Sequence, residues 1–580
     1  MNHQWRRWIL WGAVGVAYVW LLSTRLYAVP LLADEPVTAS TAEMPFGSQQ
    51  PLGGHPPLYM QCLTFMTHVL GLHAESLRWL GVLCFFTAAG LLWQVSQRWA
   101  VGSGRWVCAL YLTNPLAIHG ALTTCIDNTV VMLMTVIVIW WLSRRTLPLR
   151  GRAILTLGVL WYIWLWAKFS TPLLLPPLLW FVYVIRGQAL RGLRDVGLVC
   201  IVGGTLFLIA WGWYSHLTGM PFWWFITGRI GGIVTSGHLH PTLSALQEVA
   251  HRLARVTLSI TPYTVLLWLY ASWQSGKQWS QNRRQAGAEV LTLLFSWGVF
   301  LGYLSIAGMV AGFPKYQVPL VPLMALLSGV TFQRLLRDVR LPCGLLIAVL
   351  GGAALFTWGV VGDLQYLLTQ SVRHAMIFTP THISRAMREL GLHLGWLALL
   401  SALIGSVILL WDRSTLRISR RLLVATTLTL TTLGSQMGTA AMQVTAPYAT
   451  HYMYGRSLAT YRASIQFLTK FHQEHPTAYL LVPWDTYYHA VGLTLYPVQP
   501  GERIVLWDAH DTPEALIEKL RQVDCVMVDP DYNFSHTLRN VLPDPRVQAV
   551  LTREFERHEI GQVTAWTRRT GPARDAETPP

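Results

Sequence analysis

The chain has 580 residues, of which 53% are hydrophobic and only 12% charged, and its net charge is +16. A soluble protein of this size carries about a quarter charged residues, so the composition excludes a wholly water-borne enzyme and puts most of the chain in lipid. Nucleic acid is excluded as well, because the basic residues lie scattered in short stretches between apolar runs and form no basic face or tail.

The N-terminus, "MNHQWRRWILWGAVGVAYVWLL", has the basic flank and apolar core of a signal sequence. "STRLYA" is a poor cleavage site, since Leu26 stands where a small residue is preferred, so an uncleaved signal anchor is expected. Further apolar windows lie near 76–95, 105–120, 122–143, 152–167, 170–186, 195–214, 257–273, 287–310, 316–333, 342–362, 393–412 and 420–441. With the first, they predict a polytopic α-helical membrane protein of about thirteen transmembrane helices. Twenty-eight Trp suit the many interfacial positions of such a protein.

Alternate loops carry the basic residues: Arg98 and Arg105; Arg144, Arg145 and Arg150; Arg186, Arg191 and Arg194; Lys277, Arg283 and Arg284; Arg334, Arg337 and Arg340; and Arg413, Arg417, Arg420 and Arg421. On the other side, Val29 to Ser76 has neither Lys nor Arg, and the other long loops carry a few, such as Arg229, Arg252 and Arg385, more thinly for their length. This bias predicts a cytoplasmic N-terminus and an outward first loop. Three outer loops are long, at 29–76, 215–257 and 362–393. Structureless stretches of that length are uncommon unless they do something, so the machinery is expected to face outward.

In chain order, the first chemistry-bearing stretch is "LLADEPVTASTAEMPFGSQQPLGGHPPLYM", with Asp34, Glu35 and Glu43, three Gly, five Pro and no cation. A carboxylate at a membrane boundary is costly unless water, a metal or a substrate meets it; the alternative is an ordinary solvated helix end. In "GGHPPLYMQCLTFMTHVLG" the tandem Pro56-Pro57 starts an apolar helix, with His55 and Tyr59 one turn apart. Asp127, in "TNPLAIHGALTTCIDNTVV", is one acid in an apolar segment, where it costs about 2.5–3.5 kcal/mol at the bilayer centre. It therefore sits near the interface or has a role.

Lys168, in "WYIWLWAKFSTPLLLPP", either snorkels to water or meets an anion. His238 and His240, in "SGHLHP", are weak metal candidates beside the simpler reading of a solvated pair. Lys315 and Tyr316, in "GFPKYQVPLVPLMALL", open a span from outside. A cation and a phenol there suit a phosphate at the membrane surface; the alternative is a snorkelling lysine beside an interfacial tyrosine.

From about Gln443 the composition changes. "AYLLVP", "RIVLW" and "CVMVDP" read as strands, and "DTPEALIEKLRQV" as a helix with Asp511 or Thr512 as N-cap and Pro513 at its first position. The expected domains are a membrane domain at 1–442, a small extracytoplasmic α/β domain at 443–570 and a disordered tail at 571–580. The seven cysteines form no disulfide framework; six lie in or beside apolar runs and Cys525 stands alone in the tail.

The order of these landmarks resembles the GT-C superfamily of membrane glycosyltransferases: an outward acid pair after the first span, "PPLY", "NPL…D", then "KYQVPLVPL" before a late span. Within it the chain is most similar to the branch of protein O-mannosyltransferases and the lipid A aminoarabinose transferase. The resemblance covers roughly Met1 to Val330, and "HPPLYMQCLTFMTHVLGLHAESLRWLGVL", with Arg78, is its most specific part. It implies transfer of a sugar from a polyprenyl-phosphate carrier to a lipid, glycan or protein acceptor on the outer face of the cell membrane.

Asp34 matches the first-loop catalytic acid, with Glu35 beside it, and Asp127 matches the second acid. Lys315 and Tyr316 match the pair that meets the carrier phosphate, with His55, Tyr59 and Lys168 as further phosphate-binding candidates. The family often has Lys before the tandem proline, and here His55 stands there, so its charge depends on pH. Some members hold a metal through a loop histidine, which makes a divalent ion an open cofactor with His238 or His240 as candidate ligands. The chemistry agrees: a sugar phosphate already has a good leaving group, so one carboxylate base and donors to phosphate suffice. A single displacement inverts the anomeric centre.

A transporter or flippase for a lipid-linked sugar is the alternative. It would also need intramembrane acids, but transporters commonly show symmetric halves with broken helices, and no such symmetry is present here.

Overall fold

The computed structural model describes residues 3–28, 31, 35–42, 56–124, 129–224, 226, 249–250, 253, 256–257, 260–281, 287–305, 314–336, 343–358, 380–415, 420–445, 457–492, 503–505, 511–529 and 541–569. The chain forms two compact units, one of residues 1–43, 73–76 and 446–580, the other of 44–72 and 77–445.

The smaller unit begins with α1 (His3–Ala28) and α2 (Glu35–Ala42). The larger opens with α3 (Leu58–Leu70), which starts directly after the tandem proline and ends at Gly71, φ +63°, where the absent Cβ makes the left-handed turn easy. Then come α4 (Arg78–Trp99), α5 (Gly104–Leu112) and α6 (Pro115–Leu122). The expected single span at 105–120 is thus two helices. Pro115 pushes Asn114 out of the helical region, to φ −69° and ψ 123°. The Asn114 carboxamide oxygen then accepts from the backbone N–H groups of Leu116 and Ala117, at 3.0 and 3.3 Å, and caps α6.

The run continues through α7 (Thr129–Leu142), α8 (Gly151–Ala167), a 3-10 turn at Thr171–Leu174, α9 (Leu175–Ile185) and α10 (Ala189–Thr218). It ends with α11 (Pro262–Gln281), α12 (Ala288–Ser305), a 3-10 turn at Pro314–Leu320, α13 (Val321–Leu335), α14 (Cys343–Phe356), α15 (Pro380–Thr415) and α16 (Arg420–Thr445). The last part of the presumed loop 362–393 is therefore helical. Ile383, Met387 and Leu390 recur there at helical spacing among polar residues, which an apolar window does not register.

Among the described residues, three helices are long and apolar enough to cross a membrane: Arg78–Trp99, Ala189–Thr218 and Tyr316–Leu335. Thr129–Leu142, Gly151–Ala167, Thr171–Ile185, Ala288–Gly302, Gly344–Phe356 and Leu394–Leu410 are apolar but shorter. Of the three long spans, the one that contains α13 is the most buried, packed by α4, α5, α11 and α12. A side chain at Gly329 would meet the Val107 backbone nitrogen at 2.7 Å, so α13 and α5 cross at backbone distance. In contrast, α10 packs on α8 and α9 and, among the described residues, presents Ile201, Ile209 and Trp213 outward. A continuous apolar face of that kind is what a lipid-facing helix needs.

In the smaller unit, α17 (Leu458–Glu474), β1 (Leu480–Leu481), α18 (Trp484–Val491), α19 (Pro513–Gln522), β2 (Cys525–Val528), α20 (Pro545–Glu554), β3 (Phe555–Ile560) and β4 (Val563–Arg568) follow in order. The sheet order is β1-β2-β4-β3, with β1 and β2 parallel and the other pairings antiparallel. Alternation along β2 sends Val526 and Val528 to a core with Leu516, Leu520 and Leu551, and Cys525 and Met527 to one with Leu468 and Tyr487. A strand covered on both faces is apolar throughout, as "CVMV" is. Burial pushes the Cys525 thiol up, so it is an inert core residue. Thr512 caps α19, and Pro513 fills its first position, where no N–H is needed.

Candidate functional site

Within the larger unit, two of the predicted site residues meet. Lys168 ends α8: its N–H closes the last turn onto the Trp164 carbonyl at 2.9 Å, and its backbone then turns extended, φ −162° and ψ 138°. Its ammonium lies 5.3 Å from the centroid of the Tyr316 ring, and the two residues are only 6% and 7% exposed. Lys168 therefore does not snorkel to water. Its charge is held against an aromatic face in a buried place, where a cation–π contact is stronger than at a surface.

Tyr316 is placed by the turn Pro314–Leu320, which packs against α6, α7, α12 and α13. In sequence Asp127 falls in the short connection between α6 and α7, although the residue itself is outside the described ones. Tyr59 is buried in the first turn of α3, which packs on α8. The Gln61 carboxamide accepts from the Trp166 indole N–H at 3.1 Å, and Trp166 sits edge-on to Phe207, Trp211 and Tyr214 of α10. Aromatic packing of this kind fixes α8 on α10, and the Gln61 hydrogen bond ties α3 to α8. Lys315 lies in the same turn as Tyr316, with only its backbone described.

Gln317 is a residue that sequence reasoning passed over. It is 0% exposed, and neither its carboxamide oxygen nor its nitrogen has a hydrogen-bond partner among the described residues. Such a group costs about 1–3 kcal/mol of stability unless something binds it. Its sequence signal is one amide inside "PKYQVPLVPLMALL". Gln317→Leu is expected to raise the melting temperature in detergent by a few degrees, which thermal unfolding of the purified variant measures.

In the smaller unit, Glu35 opens α2 and is only 5% exposed. A carboxylate in the first turn is favoured by the helix dipole. Just before it, the Leu31 carbonyl accepts from the Tyr461 hydroxyl at 2.8 Å and from His489 Nε2 at 3.0 Å, while the Ala28 carbonyl accepts from Arg462. None of these three tail residues was legible as a partner of the first loop.

Asp34, His55, Asp127, His238 and His240 lie outside the described residues. Among the described residues, no group of three or more His, Cys, Asp or Glu is arranged to hold a metal ion.

The chain is similar in structure to ArnT from Cupriavidus metallidurans. The crystal structure bound to undecaprenyl phosphate superposes with a TM-score of 0.57 at 14% identity, covering 98% of this chain and 99% of that one. The apo structure gives 0.53 at 15% identity, covering 97% and 98%. No family model and no curated protein matches the sequence. At such identity the likeness shows the fold, which is ArnT-like from end to end. The O-mannosyltransferase side of the sequence resemblance gains no support from these structures.

Proposed function

We propose that this protein is an inverting glycosyltransferase of the inner membrane, moving a sugar from a polyprenyl-phosphate carrier to an acceptor on the outer face. The observation that carries this reading is the buried Lys168–Tyr316 pair inside a fold that, in ArnT, binds undecaprenyl phosphate. A cation and a phenol out of water favour an anion strongly. In this reading the N-terminus is cytoplasmic and the C-terminal domain extracytoplasmic, as the loop charges suggest.

In the reaction, an acceptor hydroxyl oxygen bonds to the anomeric carbon as the bond from that carbon to the phosphate oxygen breaks. The hydroxyl proton goes to a carboxylate, for which Asp34 is the candidate, with Glu35 beside it and Asp127 as the second acid. The bonding pair leaves with the carrier phosphate, whose charge Lys168, Tyr316, Lys315, His55 and Tyr59 are the candidates to stabilise. Displacement in one step inverts the anomeric centre.

The test is purified protein in nanodiscs supplied with a panel of polyprenyl-phosphate sugars, with release of free polyprenyl phosphate as the readout. Consumption of one donor establishes the reaction and names the sugar. Failure with every donor, while labelled carrier crosses the membrane, replaces the transferase by a flippase.

A further inference from the structure

We infer that the C-terminal domain acts as a clamp on the acid-bearing loop, with Tyr461 and His489 as positioning residues that fix the segment holding Glu35. The inference rests on the reading of that loop as the carrier of the catalytic carboxylates. Leu31 lies outside any helix or strand, yet its carbonyl receives two side-chain donors, one from α17 and one from α18. That fills both acceptor positions of the carbonyl oxygen. Tyr461 is buried, and its ring meets the His489 imidazole edge-on at 6.3 Å, which holds the two donors in a fixed relation.

Arg462, one residue on, takes the carbonyl of Ala28 at the end of α1, where helix carbonyls lack partners and favour a cation. Downstream, α2 packs on α18, with Thr38, Ala39, Ser40, Thr41 and Ala42 all buried. Ala28, Leu31 and α2 are thus each held by tail elements. Asp34 and Glu35 stand between the grips in sequence. A carboxylate base displaced by about 1 Å loses on the order of a hundredfold in rate, which is what such a grip prevents.

The test uses full-length protein in nanodiscs with Tyr461→Phe, His489→Ala and His489→Gln. Tyr461→Phe removes one hydroxyl and keeps the ring, and His489→Gln keeps a donor. The double variant Tyr461→Phe/His489→Ala is expected to lower kcat for transfer about 10- to 100-fold, with carrier affinity and melting temperature held. His489→Gln is expected to restore most of the loss seen with His489→Ala. Amide hydrogen exchange at residues 38–42 is expected to rise about fivefold for each bond removed.

Unchanged exchange in the double variant overturns the clamp, as does a loss of kcat that merely follows a global fall in melting temperature. The exchange measurement needs no turnover. If wild type transfers no sugar, the proposed reaction fails while the clamp is still judged on its own.

Discussion

Asp34→Asn is expected to remove sugar transfer almost completely, lowering kcat by about 10²–10⁴-fold, while carrier binding and melting temperature stay near wild type. The substitution keeps the size and hydrogen-bonding shape of the side chain and removes only its capacity to take a proton. Glu35→Gln should behave differently. Glu35 is buried at the head of α2, where a negative charge is favoured by the helix dipole, so its loss costs stability of about 0.3–2 kcal/mol before it costs rate. The pair of variants therefore separates a base from a structural acid. Full activity in a folded Asp34→Asn protein would refute the assignment.

Carrier affinity is expected to fall by at least about thirtyfold in Lys168→Met, since removing one partner of a buried charge interaction costs roughly 2–5 kcal/mol. Methionine retains most of the stem's length and packing, so the melting temperature should change little. Tyr316→Phe keeps the ring under the ammonium and deletes the hydroxyl. Loss of a hydrogen bond to a charged phosphate is worth about 1.5–3 kcal/mol, or roughly ten- to a hundredfold in binding. Titration of undecaprenyl phosphate into each purified variant measures both. If Lys168→Met binds as wild type but unfolds much earlier, the pair is a packing device and not a phosphate site.

What the sequence makes visible follows from how local each signal is. The apolar windows that became α4, α7, α8 and α10 are legible because lipid solvation acts on every residue of a run. The start of α3 after Pro56 and Pro57 is legible for a local reason too, as is α19 behind Thr512 and Pro513. The break between α5 and α6 was equally local, in Asn114-Pro115, but a hydropathy window averages across it. The polar start of α15 is hidden by the same averaging.

The site is harder to read because its meaning lies in tertiary partners. Lys168 stands out in sequence, yet snorkelling and burial differ only in where Tyr316 arrives from a distant turn. Gln317 looks like any amide until the turn buries it, and Tyr461 and His489 look like surface residues of a soluble tail until their donors meet Leu31.

The backbone-close crossing at Gly329 also has a kinetic consequence. In the proposed reaction a lipid-linked donor and its spent carrier exchange sideways with the bilayer, and some helix has to yield for that. The helix α13 is encased and meets the Val107 backbone and methyl group at Gly329, so tilting it would open voids at that crossing. In that reading it is a strut, and the turn carrying Tyr316 at its head is expected to stay put as the carrier comes and goes.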